Sequence, residues 1–466
     1  MKMGLLLSCA LPMVLAACSI PDSQVDRIKE SGELRVVTRH NPTTYFRGKR
    51  GTRGLEYELV TLFAQELGVK PTFVFTKSFD QILPMIARGD VHFGAAGLTA
   101  TPGREHLVRF THSYQSVTQQ LVYRLGTKKP KKITDTLGGT FEVVAGRSLV
   151  ERLQELKREH PELEWTEKRE VSSEELISLV VEQIVDYTIC NSNEVALSRR
   201  FHPELKVAFD ISGPLPVAWA FPHAQDDSLY DAAISFLDNL KQSGELKRII
   251  DHYYGHVESL DVLDTHTFRR HIVQRLPEYR AHFKQAALET GLDWRLLAAI
   301  GYQESHWDPK AVSPTGVTGI MMLTKAAAKD LGVKSRTDPK ESILGGARYI
   351  LLVREKIPDR IPEPDRLWMA LAGYNVGFGH LEDARILTER HRDDPDKWVD
   401  VKKYLPLLSK KKYYKTVKHG KARGREPVDY VDNIRSYYDL LVWETNRQKV
   451  PVASGIPAQL TAPGAF

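Results

Sequence analysis

The chain has 466 residues, more than one hydrophobic core can use, so two or three domains are expected. With 42% hydrophobic and 27% charged residues, it is neither largely disordered nor fibrous. The net charge of +6 suits an anionic partner surface without requiring one. At the start, Lys2 precedes Leu5, Leu6 and Leu7, and an apolar run from Leu11 to Ala17 stops at Cys18. That segment is too short for an ordinary bilayer span and reads as the apolar region of a signal peptide. From about Ser31 to Gly255, strand and helix patterns alternate. Leu34–Thr38, Phe73–Phe75 and Val91–Ala96 read as strands; Leu55–Leu67 and Phe79–Arg88 read as helices, closed by Gly68 and Gly89. This order predicts an open α/β sheet with ligand chemistry at the strand ends.

Leu15-Ala16-Ala17-Cys18 resembles the lipobox of bacterial lipoproteins. The resemblance implies cleavage after residue 17 and lipidation of Cys18, with 18–30 as a tether. Two or more acyl chains hold a protein firmly to a membrane. Ser19, rather than Asp, follows the cysteine, which resembles outer-membrane sorting and implies a lipid-anchored protein on the periplasmic face. Cys9 leaves with the signal and Cys18 carries lipid, so Cys190 is left alone and no internal disulfide can form. No zinc-type spacing appears, and neither a metal nor another cofactor is expected. The export signal argues against a nucleic-acid partner.

The stretch 31–255 resembles the periplasmic solute-binding proteins of the amino-acid type. The matching residues are Gly54 to Leu59, Gly89-Asp90-Val91, and Gly97 to Arg104 followed by Phe110 to Tyr114. The resemblance implies two lobes, the second from about 128 to 213. It also implies that Arg104 grips a ligand carboxylate with help from Thr99. A guanidinium suits that role because its planar fork meets a carboxylate with two hydrogen bonds. Ser148, at an expected helix N-terminus, could offer amides to the same group. The family commonly places an acid after the second-lobe strand for the ligand's amino group; here Asn191 follows Tyr187–Cys190. An amide holds a cation less strongly, which turns the expectation from a free amino acid toward a muropeptide.

Residues 256–267 read as a polar linker, and 268–446 as an all-α domain. Its expected helices are Phe268–Glu289, one ending near Pro309, Thr324–Leu331, Ile343–Glu355, Leu367–Tyr374 and Val428–Trp443. Residues 447–466, rich in Pro, Ala and Gly, read as a mobile tail. In the helix that Asp293 caps, Leu297, Ile300 and Glu304 recur on one face. The two apolar residues carry Glu304 inward, where lost hydration and the carbonyls of the last turn both raise its pKa. A general acid working near neutral pH needs such a carboxyl. The plain alternative is a half-solvated glutamate at a helix edge.

Three further segments accompany Glu304-Ser305: Ser313 to Met322 with Gly319, Ala372-Gly373-Tyr374-Asn375-Val376-Gly377, and Tyr430 to Ile434. In this order they resemble the lysozyme-like lytic transglycosylases. That resemblance implies a lysozyme-like all-α fold with Glu304 as the single catalytic acid. It further implies that Ser313, Gly319, Met321, Tyr374 and Asn375 bind the glycan, and that Tyr430 stands near the acid. Met322 departs from the glutamine often found there. The implied substrate is peptidoglycan, cut without water to leave 1,6-anhydromuramyl ends. Two rivals remain: a hydrolytic muramidase, and an amino-acid-binding lipoprotein receptor with a vestigial wall-binding domain. Asp308, the nearest second acid, suits a turn better than catalysis. The basic run Lys410-Lys411-Lys412, with Lys415, Lys418, Lys421, Arg423 and Arg425, reads more readily as a solvated face than as a wall contact.

Overall fold

The computed structural model describes residues 23–48, 51–256, 262–314 and 316–447. The signal-peptide and Cys18 readings, and the tail from 448 onward, lie outside these residues. Strand Glu33–Thr38 runs parallel to Lys70–Phe75 on one side and to Phe93–Gly94 on the other. Ala220–Phe221 and Arg109–Phe110 complete a five-stranded sheet. Helix Leu55–Leu67 buries Leu59 and Phe63 against it, and Gly68, in the left-handed region at φ 75°, closes the helix. The expected helix Phe79–Arg88 is a 3-10 turn followed by Ile82–Ala87; Pro84, which has no N–H to donate, falls in the first turn of that helix. The expected strand over 91–96 shortens to Phe93–Gly94.

A second lobe centres on Gln119–Arg124, paired antiparallel with Thr188–Asn191 and Leu205–Asp210. The chain then returns to the first lobe with Ala220–Phe221 and the helices Ser228–Gln242 and Glu245–Tyr254. Most of the segment read as a tether forms a helix, Gln24–Ser31. Ser23 caps it reciprocally with Asp26, and Ile28 is buried in the first lobe's core.

The described residues from 262 to 447 are helical with turns between, and contain no extended strand. The latter part of the stretch read as a linker already belongs to helix Val262–Gln274. The helix expected over 268–289 is divided at Arg275, where Pro277 opens the next one, Leu276–Thr290. Two helices without a sequence reading, Phe378–Arg390 and Trp398–Tyr404, complete the packing. Phe268, Phe283, Leu297, Ile300 and Trp307 share one core with the last helix, Glu426–Arg447.

That last helix is also the seam with the solute-binding-like part. Asp439 is bonded to Arg200 of the second lobe and accepts from His256 at 2.8 Å. Arg435 donates to the carbonyls of Asp251 at 2.7 Å and His252 at 3.1 Å. Trp443 stacks on Phe201 with ring centres 5.5 Å apart. Both lobes therefore touch the helix that also carries Tyr430.

Candidate active site

Helix Trp294–Ser305 starts as its sequence dictates. Asp293 accepts from the Arg295 N–H at 2.9 Å and from the Tyr438 hydroxyl at 2.8 Å. Leu297 and Ile300 are fully buried, so the face shared with Glu304 does turn inward. The helix ends on His306 and Trp307, both left-handed at φ 52° and 59°. The buried Trp307 indole donates back to the Ala298 carbonyl at 2.7 Å, which fixes this reversal. Ser305 ties the last turn to the next segment by donating to the Gly301 and Ile320 carbonyls at 3.1 and 2.9 Å. Glu304 is thus set by backbone fastened on both sides.

The Glu304 carboxyl opens onto a groove of about 660 Å³, whose lining includes Gln303, Asn375, Tyr430 and Asn433. Burial raises its pKa to about 7, against the opposing hydrogen bond from Tyr430. The Tyr430 hydroxyl donates to Glu304 Oε1 at 2.5 Å. Burial, one of the two causes expected from sequence, is the one found. At pH 7 such a carboxyl is close to half protonated and can both give and take a proton. Asp308 is exposed and accepts from the Lys310 N–H at 2.8 Å, the turn role expected of it.

The other glycan-contact candidates divide. Asn375 and Tyr430 line the groove with Glu304; Ser313, Gly319, Met321 and Tyr374 are not in that lining. Met321 is fully buried, and its carbonyl accepts from the Tyr374 hydroxyl at 2.6 Å. Tyr374 is stacked beside Tyr430, at 6.5 Å between ring centres. These two residues therefore shape the wall behind Tyr430. The close approach that Gly319 permits is to protein: a Cβ there, at φ 88°, would lie 1.8 Å from the Arg336 carbonyl oxygen. Gln303 and Asn433 were not selected from sequence. Asn433 could have been, since it stands three residues after Tyr430 and shares its helix face.

In the solute-binding-like part three of the expected ligand residues, Thr99, Arg104 and Ser148, lie where the two lobes meet. Thr99 and Ser148 meet through their hydroxyls at 2.5 Å, and Gln119 donates to Ser148 at 2.9 Å. Arg104, 3% exposed, does not face an open site: its Nε donates to Glu151 of the opposite lobe at 2.6 Å, and its Nη2 to the Gly146 carbonyl at 2.8 Å. Thr101 holds the same Glu151 carboxylate at 2.7 Å. Asn191 is buried at the start of helix Ser192–Phe201, where its N–H donates to Glu194 at 3.2 Å. Glu194 is the acid that sequence reading did not select. It bridges Arg39 of the first lobe at 2.5 Å and Arg147 of the second at 3.0 Å. Burial opposes its charge, but the two guanidiniums outweigh that and hold its carboxyl below the usual range.

Two family descriptions match the chain: bacterial extracellular solute-binding proteins, family 3, over residues 34–256, and transglycosylase SLT domain over 281–396. The second match includes Glu304 and Asn375 and ends before Tyr430. Among curated relatives, membrane-bound lytic murein transglycosylase F 1 of Alkalilimnicola ehrlichii is 46% identical, the match spanning 95% of this chain and 91% of the relative. Membrane-bound lytic murein transglycosylase F of Stutzerimonas stutzeri is likewise 46% identical, over 95% and 91%. That of Saccharophagus degradans is 46% identical over 93% and 87%.

Proposed function

The chain belongs to the membrane-bound lytic murein transglycosylase F family, and from that premise we propose that it cuts peptidoglycan without water, with Glu304 as acid and then base. Protonated Glu304 gives its proton to the oxygen joining N-acetylmuramic acid to N-acetylglucosamine. The bond from that oxygen to the muramyl anomeric carbon breaks, and N-acetylglucosamine leaves with a free 4-hydroxyl. Positive charge on the muramyl ring is eased by its own 2-acetamido oxygen. The Glu304 carboxylate then takes the proton of the muramyl 6-hydroxyl as that oxygen closes on the anomeric carbon. A 1,6-anhydro ring results, and Glu304 is protonated again.

The observation that carries this reading is the Glu304 carboxyl itself: open to a groove, its pKa raised by burial to about 7, and bonded to the Tyr430 hydroxyl. Most glycosidases use two carboxylates, whereas here the substrate hydroxyl supplies the second function. Tyr430 orients the carboxyl and Asn375 offers an amide to the sugar. Glu304→Gln is expected to leave a folded protein that releases no muropeptides from sacculi. Mass spectrometry of the parent's products is expected to find anhydro ends; reducing ends, heavier by one water, would make it a hydrolytic muramidase.

We place the enzyme on the periplasmic face of the outer membrane, held through lipid on Cys18. The lipobox resemblance supports this, and the relatives, described as membrane-bound, support attachment to a membrane. Among the described residues no helix is long and apolar enough to cross a membrane. Cys18→Ala should abolish labelled-palmitate incorporation and release the protein from outer-membrane fractions. Residues 31–255 would act as a regulatory domain for the catalytic residues 268–446, with a muropeptide or amino acid as its ligand. Support comes from Thr99 meeting Ser148 between the lobes, with Arg104 reaching the Gly146 carbonyl beside them. A ligand that prefers one lobe arrangement would shift the equilibrium, and both lobes touch the helix bearing Tyr430. Calorimetry with muropeptides and with free amino acids separates the two ligand classes.

A further inference from the structure

Two cations in the lining of the catalytic groove have no part in the chemistry above: Arg423 and Arg425. They end a stretch, 410–425, that holds eight lysines and arginines and no acid, every one of them exposed. A solvated face accounts for the lysines. It does not account for the way the chain is fastened at its end. The Ala422 N–H donates to the Leu408 carbonyl at 3.1 Å. A Cβ on Gly424 would lie 1.6 Å from the Leu405 carbonyl oxygen, so the backbone there admits no side chain. Arg423 stands between these two fixed points at the rim of the groove.

The two arginines differ in what they meet. Arg425 is paired with Asp429 at 2.8 Å. Arg423 has no ion pair or side-chain hydrogen bond among the described residues, although Glu426 and Asp429 share the lining. The Glu304 carboxyl is held by the Tyr430 hydroxyl, and among the described residues no ion pair or hydrogen bond joins it to Arg423. Its charge is available for another part of the substrate. The sugars of a murein strand are neutral, and its negative charges are carboxylates on the peptides hung from the muramyl lactyl groups. A guanidinium meets a carboxylate with two hydrogen bonds and carries its charge at every working pH.

We propose that Arg423 is a specificity-determining residue which binds a carboxylate of the peptide on the strand being cut, so that the enzyme prefers peptide-bearing over peptide-stripped glycan. The proposal rests on the transglycosylase reading of the same groove. The flanking lysines add attraction that salt screens.

The experiment compares anhydromuramyl release by the full chain from intact sacculi strands and from strands stripped by an amidase and then capped as lactyl methyl amides, because hydrolysis of the lactyl amide otherwise leaves a carboxylate on each muramyl residue. The parent should favour peptide-bearing strands in kcat/KM. Arg423→Gln should reduce that preference about fivefold, chiefly through KM, as expected for one partly exposed charged contact. Arg423→Lys should recover part of it, and raising the salt should narrow the gap between parent and Arg423→Gln. A parent without preference, or an Arg423→Gln variant that loses rate equally on both strands or on neither, would overturn the proposal. Failure of the transglycosylase reading looks different: Glu304→Gln would then still release product from both strands.

Discussion

Glu304 is governed by two opposed influences of different origin. Burial raises its pKa and the Tyr430 hydroxyl lowers it, for a result of about 7. A donor to the charged form, once removed, no longer favours ionisation. Tyr430→Phe should therefore move the alkaline limb of the kcat/KM profile from near 7 upward by roughly one unit, the scale of one charge-assisted hydrogen bond. An unmoved limb would mean that another group sets it. The same shift affects stability. Because the folded-state pKa lies above the ordinary 4.5, the carboxyl costs nothing below that value, and its penalty grows as the pH rises toward 7. Glu304→Gln should thus match the parent's melting temperature at pH 4 and exceed it at pH 8. The gain should be about 1–2 kcal/mol, less than the full shift because one side of the carboxyl faces water.

At the scale of elements, the site depends on how the acid helix is fastened to its neighbours. Ser305 reaches the Ile320 carbonyl, and Tyr374 reaches the next one, at Met321. The segment carrying both carbonyls turns at Gly319, pressed against the Arg336 carbonyl in a backbone conformation that side chains rarely adopt. Gly319→Ala should cost about 2–4 kcal/mol through strain and the forced displacement of Arg336. Chemical denaturation would measure this. A loss below about 0.5 kcal/mol, the scale of an ordinary surface change, would mean that the turn yields freely. The gap at Gly319 is closed by protein, so its glycine serves the architecture behind the groove.

At the scale of the whole molecule, the solute-binding-like cleft is latched by its own carboxylates. Glu151 occupies the Arg104 guanidinium, the group proposed to hold a ligand carboxylate, and Glu194 joins Arg39 to Arg147 across the lobes. A carboxylate ligand must displace Glu151, so apparent affinity is lowered by the fraction of molecules in which Glu151 holds Arg104. Glu151→Gln should raise the affinity for a carboxylate-bearing muropeptide about fivefold or more in calorimetry; weaker binding would show that Glu151 helps to form the site. At the seam, Asp439→Asn removes the carboxylate facing the buried Arg200 guanidinium. Leaving that charge uncompensated should cost about 3 kcal/mol and allow the two halves to melt separately in scanning calorimetry.

How much of this was legible in the chain depends on the range over which each feature is decided. Helix Leu55–Leu67 with its Gly68 stop, the Asp293 cap, and the inward face of Leu297, Ile300 and Glu304 are set by residues a few positions apart, where periodicity and capping act directly. The burial that raises the Glu304 pKa follows from that same face. The break at Arg275 is legible in Pro277, which favours the first turn of a helix; the helices over 378–404 carry no clear pattern. The Tyr430 contact joins residues 126 apart, and the Arg104–Glu151 contact joins two lobes. Periodicity states which face turns inward, not which distant side chain will stand opposite it. Local pattern was enough to place one carboxyl on the buried face of a helix. Which phenol touches it, which arginine at its rim has no ion pair among the described residues, and which carboxylate closes the other cleft depend on how finished elements pack, and no local pattern carries that information.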